Sequence, residues 1–140
     1  MSTSTLGAPL EESMDPAIAQ ALTRGQIIDI TTTGRTSGEP RRVEIVYHVF
    51  DGRIYISGMP SPEPRAWLRN LEADPRLTFH LKKGPNADLA ATARVIIDAK
   101  ERHEVLAKVA AAWRRDAAEM EAQSPLIEVK IDGYEGHRAA

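Results

Sequence analysis

Arg41-Arg42-Val43-Glu44-Ile45-Val46-Tyr47-His48-Val49-Phe50-Asp51-Gly52-Arg53-Ile54-Tyr55-Ile56-Ser57 is the stretch that decides how this chain folds. Val43, Ile45, Tyr47 and Val49 recur at every second position, so an extended strand over 41–50 puts them on one face. Asp51-Gly52 then supplies a two-residue connection of the kind that closes a hairpin, because both positions of the favoured turn need positive φ. Arg53 to Ser57 must return antiparallel as the next strand.

The pattern extends outward in both directions. Upstream, Ile27, Ile28, Ile30 and a run of threonines give a first strand from Gln26. Before it, Asp15-Pro16 reads as a helix N-cap followed by proline at the first helical position, and Gly25 ends the short helix that carries Ile18, Ala21 and Leu22. Residues 1–13, rich in Ser, Thr, Gly and Pro, read as a flexible lead, and 14–140 as a single domain. Downstream, the prolines between Gly58 and Pro64 forbid regular structure, and Pro64 opens a helix bearing Trp67, Leu68 and Leu71. Leu77, Phe79 and Leu81 mark a fourth strand, Leu89 to Ile97 a fifth and Leu126 to Asp132 a sixth. Between the last two, Asp98 and Glu101 form a candidate capping box for one helix running to about Gln123, with Val105, Leu106, Val109, Trp113, Ala117 and Met120 on one side. The fold expected is α+β: a six-stranded antiparallel barrel, closed or split, with helices packed outside it.

Composition excludes several classes of function. The 140-residue chain has no cysteine, which removes disulfides, thiolate nucleophiles and Cys-based metal sites and fits a cytoplasmic setting. A formal charge of −2, with both signs interspersed, argues against nucleic acid as a partner. No window approaches the ~20 apolar residues of a transmembrane segment, and the N-terminal residues lack the pattern of a signal peptide. There is no G-x-S-x-G for a hydrolase and no G-x-G-x-x-G unit for a dinucleotide. His48 and His80, on separate strands, could meet inside the barrel as metal or haem ligands, but no second ligand motif accompanies them, so the expectation is no metal.

Two segments carry chemistry. Thr31-Thr32-Thr33-Gly34-Arg35-Thr36-Ser37-Gly38-Glu39-Pro40-Arg41-Arg42 joins the first two strands through a glycine turn crowded with guanidinium and hydroxyl groups. Such a turn is either a solvated surface loop or a cradle for phosphate or carboxylate. Trp67-Leu68-Arg69-Asn70-Leu71-Glu72-Ala73-Asp74-Pro75, about thirty residues downstream, is an amphipathic helix whose Trp and Leu read as a barrel lid and whose Asn70 reads as an exposed amide that braces a loop or meets a ligand.

In this order and spacing, T-T-G-R-x-S-G-x-P-R and W-x-x-N-L-x-x-x-P resemble the deazaflavin (coenzyme F420)-dependent nitroreductase and quinone reductase family, from about Gln26 to Ile131. The resemblance implies an FMN-binding split-barrel-like fold. It also implies an F420-dependent oxidoreductase that passes a hydride from reduced deazaflavin to a quinone, an enone or a nitroarene, with no catalytic side chain singled out. It assigns Arg35, Ser37 and Arg41 to the anionic tail of F420, with Thr36 and Gly38 in the same turn; Thr36 replaces a lysine frequent in the family. Ser57 and Gly58 match a second phosphate-binding stretch that is otherwise reduced here, and Arg65 is the candidate for its missing positive charge, unless it pairs with Glu63. Trp67 and Asn70 border the cofactor. Tyr47, His48 and Tyr134 are candidate substrate-pocket groups, with strand or tail packing as the alternative for each tyrosine. Two other readings stay open: an FMN-dependent reductase, and a non-catalytic lipid, fatty-acid or haem carrier on the same barrel. A homodimer is compatible with all of them.

Overall fold

The computed structural model describes residues 14–134; the expected N-terminal lead lies outside the described residues. The elements, in chain order, are α1 (Pro16–Ala21), β1 (Gln26–Thr33), β2 (Pro40–Phe50), β3 (Arg53–Ser57), α2 (Ala66–Ala73), β4 (Arg76–Leu81), β5 (Ala87–Val95), α3 (Ala99–Trp113), α4 (Ala117–Gln123) and β6 (Leu126–Ile131). The strands close into a barrel in the order β1-β2-β3-β6-β5-β4, every pairing antiparallel. No described helix is long and apolar enough to cross a membrane.

Alternation sorts side chains between two cores. Ile54 and Ile56 point into the barrel with Ile28, Ile30, Tyr47, Phe79 and Val129, whereas Tyr55, between them on β3, packs outside with Leu106, Val109 and Met120 beneath α3 and α4. The hairpin forms as the sequence dictates. Asp51 and Gly52 take φ of 54° and 76°, and Tyr47 pairs with Ile56 through to Phe50 with Arg53.

Three expectations change. The long helix is broken: Arg114 adopts a left-handed conformation at φ 56°, ending α3 at Trp113, and Asp116 caps a new helix by accepting from Ala118 and Glu119 N–H. The capping box at Asp98 is half formed. Asp98 accepts from the Glu101 N–H, but the Glu101 carboxylate turns away to Arg94. The histidines do not meet. His80 sits between Thr31 Oγ1 and Asp88 Oδ1, both at 2.7 Å, while His48 packs between Phe50 and Trp113 on the outside of the barrel.

Candidate functional site

Strand lengths create the site. β2 has 11 residues and β3 only 5, and β3 pairs with β2 only from Tyr47 to Phe50. Among the described residues, the segment from Pro40 to Val46 therefore has a strand partner, β1, on one side and none on the other. Along this open edge runs a cavity of about 890 Å³. Consecutive residues Arg41 to Val46 line it, although a strand sends them alternately to opposite faces. That pattern arises when a cavity follows a strand's edge, where backbone N–H and C=O groups are available to a ligand.

The β1–β2 turn forms one end. Gly34 N–H donates to Glu39 O and Gly38 N–H to Gly34 O, each at 2.8 Å, and Gly38 sits at φ 74°, a value that side chains rarely adopt. A Cβ on Gly34 would lie 2.7 Å from Ser37 Oγ, so this tight turn requires glycine at both positions. Ser37 Oγ accepts from Glu39 N–H and from the Arg41 guanidinium. Asn70 holds the turn from below: its Oδ1 accepts from the Arg35 N–H and its Nδ2 donates to Thr32 Oγ1, each at 3.0 Å. The amide is 4% exposed, so it is a buried brace and not the exposed group that the sequence suggested.

The far side of the cavity comes from the proline-rich loop and α2. Arg65 does not pair with Glu63; it donates to Met59 O at 2.6 Å and lies across Gly58, where a Cβ would come within 3.0 Å of its Nε. Gly58 thus clears the space in which this guanidinium rests. Ser57 borders the cavity but gives its hydroxyl proton to Pro125 O.

Electrostatically, the cavity is marked by three guanidiniums that share it. Arg35, Arg41 and Arg65 have no carboxylate partner among the described residues, and all three line it. Arg42, also lining, is neutralised by Asp29, and Glu44 is bound by Lys82. Hydrogen bonds from Lys82 and then Arg42 hold the Asp29 carboxyl below the usual carboxylate range.

The structure brings together Arg35, Thr36, Ser37, Arg41, Ser57, Gly58, Arg65, Trp67 and Asn70 around one cavity. Gly38 shapes the turn but borders a separate small crevice. The three substrate-pocket candidates lie elsewhere. Tyr47 is buried inside the barrel, its hydroxyl donating to Ala21 O at 2.9 Å, and Tyr134 also belongs to the interior core. Burial pushes both phenols up and the His48 imidazole down. His48 stands next to Trp113 and does not itself line the cavity. Trp113, Val46 and Glu44 do line it, and sequence reasoning had not placed them there.

Comparison with known proteins bears on the family and the fold. The F420H(2)-dependent quinone reductase family model matches residues 8–132. The chain belongs to that family. It is on that ground an F420-dependent reductase built on a split barrel. Similar solved structures include an F420-H2-dependent reductase, FDR-A, at 22% identity with a TM-score of 0.56, covering 74% of this chain and 93% of that one. Others are the Mycobacterium tuberculosis protein Rv2991, at 20% identity, TM-score 0.62 and coverage of 84% and 81%, and the Vibrio cholerae haem storage protein HutZ, at 12%, 0.62, and 85% and 90%. At these identities the likeness speaks for the fold alone. No curated protein sequence matches the chain.

Proposed function

We propose that the cavity along β2 holds coenzyme F420, with its phosphate and carboxylate tail at Arg35, Arg41 and Arg65 and its ring along the open strand edge. The acceptor of the hydride is an electron-poor small molecule such as a quinone, an enone or a nitroarene. One observation carries the reading: three guanidiniums without acidic partners converge on a single long cavity. Arg53 and Arg94 sit against the Glu128 carboxylate inside the fold, whereas these three guanidiniums share one cavity and leave their charge to an anion from outside the chain.

The residues present fit the group. Arg41 and Ser37 are already joined, so the turn presents a guanidinium and a hydroxyl side by side, and Gly58 leaves the Arg65 guanidinium room beside the cavity. When bound, reduced F420 supplies the hydride. The chain's own part is to hold the tail by charge-assisted bonds, to meet the ring's polar edge with the free N–H and C=O groups of β2, and to screen it from water with Trp67 and Val46. A homodimer fits this proposal, since one structure of similar fold is a domain-swapped dimer.

Titration of the purified protein with F420, followed by deazaflavin fluorescence, tests the reading against FMN and haem run in parallel. Saturable F420 binding is expected, weakened by roughly 1 to 3 kcal/mol in Arg35→Ala and Arg41→Ala, the scale for hydrogen bonds to charged groups. Binding of FMN or haem in preference to F420 would replace the proposal, and unchanged affinity in both folded variants would return these arginines to the solvated surface.

A further inference from the structure

The cavity changes along its length. The β1–β2 turn brings Arg35 and Arg41 to one end, and Arg65 reaches in across Gly58 from the proline-rich loop. Val46, Glu44 and Trp113 wall the part beyond the turn, where Glu44 is bound by Lys82. Trp113 stands beside His48, seven residues along β2 from Arg41, which at the usual strand rise is on the order of 20 Å away. The chain has two tryptophans in 140 residues, and both border this one cavity.

Trp113 is held in place from several directions. It is the last residue of α3, fixed there by the left-handed Arg114 and by the Arg115 N–H donating to Ala110 O. The His48 ring meets it in a T-shaped contact at 5.0 Å, and Phe50 stacks behind His48 at 5.9 Å and 9°. Lys108 caps the Phe50 ring at 5.7 Å. The indole itself is only half-buried.

Resting on the F420 reading for the cationic end, we infer that the Trp113 end is the acceptor subsite, where a planar, electron-poor ring such as a quinone lies against the indole. His48 acts as a positioning residue that sets the indole's angle. An indole is the most electron-rich side-chain surface available, and a flat electron-poor ring gains by stacking on it, whereas a puckered, non-aromatic acceptor gains little. Trp113 therefore selects for planarity in the acceptor.

Two readouts test this, one independent of F420. In the cofactor-free protein, menadione should quench tryptophan fluorescence saturably, and Trp113→Phe should abolish that saturable component. Quenching that persists in Trp113→Phe assigns the ligand to Trp67 and overturns the inference. In the F420-loaded protein, Trp113→Leu should raise the KM for menadione about tenfold, the upper range for an aromatic pair. The KM for cyclohexenone and the affinity for F420 should each stay within about twofold in the same variant. Equal KM values for menadione in wild type and Trp113→Leu, or a tenfold loss of F420 affinity in the folded variant, would remove Trp113 from the acceptor subsite. Failure of the wild type to bind F420 would instead defeat the cofactor assignment, leaving the quenching result to judge Trp113. Should Trp113→Leu not fold, the Trp113→Phe quenching decides the matter.

Discussion

Arginines on two sides of the same barrel behave in opposite ways. Under α3, Arg94 donates to Glu101 and to Glu128, and Arg53 approaches Glu128 from the other side at 3.6 Å. Glu128 is 1% exposed, and Arg94 donates two hydrogen bonds to its Oε1. Around the cavity, Arg35, Arg41 and Arg65 have no carboxylate partner among the described residues. One group of guanidiniums completes the fold, and the other is left incomplete by it. Guanidiniums that the chain does not neutralise point to a ligand when several of them converge on one cavity, more so than the number of arginines in a motif.

The sharpest test of that contrast is at Arg94. Its removal strands Glu128 with only the distant Arg53, so Arg94→Met should destabilise the protein by ~3 kcal/mol, the low end for breaking a buried pair because Arg94 is itself half exposed. Denaturant titration reads this directly. F420 affinity in the fraction that remains folded should be unchanged. The cavity arginines should show the reverse, losing affinity while the unfolding midpoint stays put. A stability loss at Arg35 or Arg41 as large as that at Arg94 would erase the distinction.

Asn70 stands between the two classes, being structural in its contacts and functional in its position. Asn70→Ala leaves the buried Thr32 hydroxyl and the part-buried Arg35 N–H without this partner, at a cost of about 1 to 3 kcal/mol. The turn it braces should loosen as well, so F420 affinity falls alongside thermal stability. Calorimetry and cofactor titration on one sample separate this outcome from a purely local one. Loss of stability with full affinity would show that the turn holds its shape without the brace.

Much of this was legible in the sequence. Alternation in Val43 to Val49 and the Asp51-Gly52 turn specify the hairpin, and the unequal lengths of the two strands already imply that β2 outruns its partner. The grouping of the Arg35 turn with Trp67 and Asn70 followed from a motif pair and proved to be spatial. Trp113 was not legible as a cavity residue. Helical periodicity puts it on the same stripe as Val105, Leu106 and Val109, and no local pattern marks that it also borders the cavity. Tyr47 failed for a related reason: its hydroxyl partner is a carbonyl in α1, far away in sequence and on no recognisable motif. Asn70 was read as exposed because its helix is amphipathic, yet a buried polar side chain on such a face needs partners that only tertiary structure supplies.

The smallest expected effect concerns His48, whose Nε2 is buried without a hydrogen-bond partner among the described residues and whose imidazole is pushed below its ordinary 6.5 by burial. A histidine with a depressed folded-state pKa binds its proton more readily in the unfolded chain. Its contribution to stability is therefore complete above about pH 6.5 and declines as pH falls toward the folded value, with a slope no steeper than ~1.4 kcal/mol per pH unit for one group. Asp29 acts in a separate window, because its lowered carboxyl loses stability only as pH drops through the acid range below its ordinary 3.8. Between about pH 7 and 5, then, the melting temperature of the wild type should fall more steeply than that of His48→Phe, which keeps a ring against Phe50 and Trp113 but cannot titrate. Identical slopes in the two proteins would mean that the proton reaches His48 as easily in the folded state as in the unfolded one. The support behind Trp113 would then be a wet, mobile ring in place of a packed one.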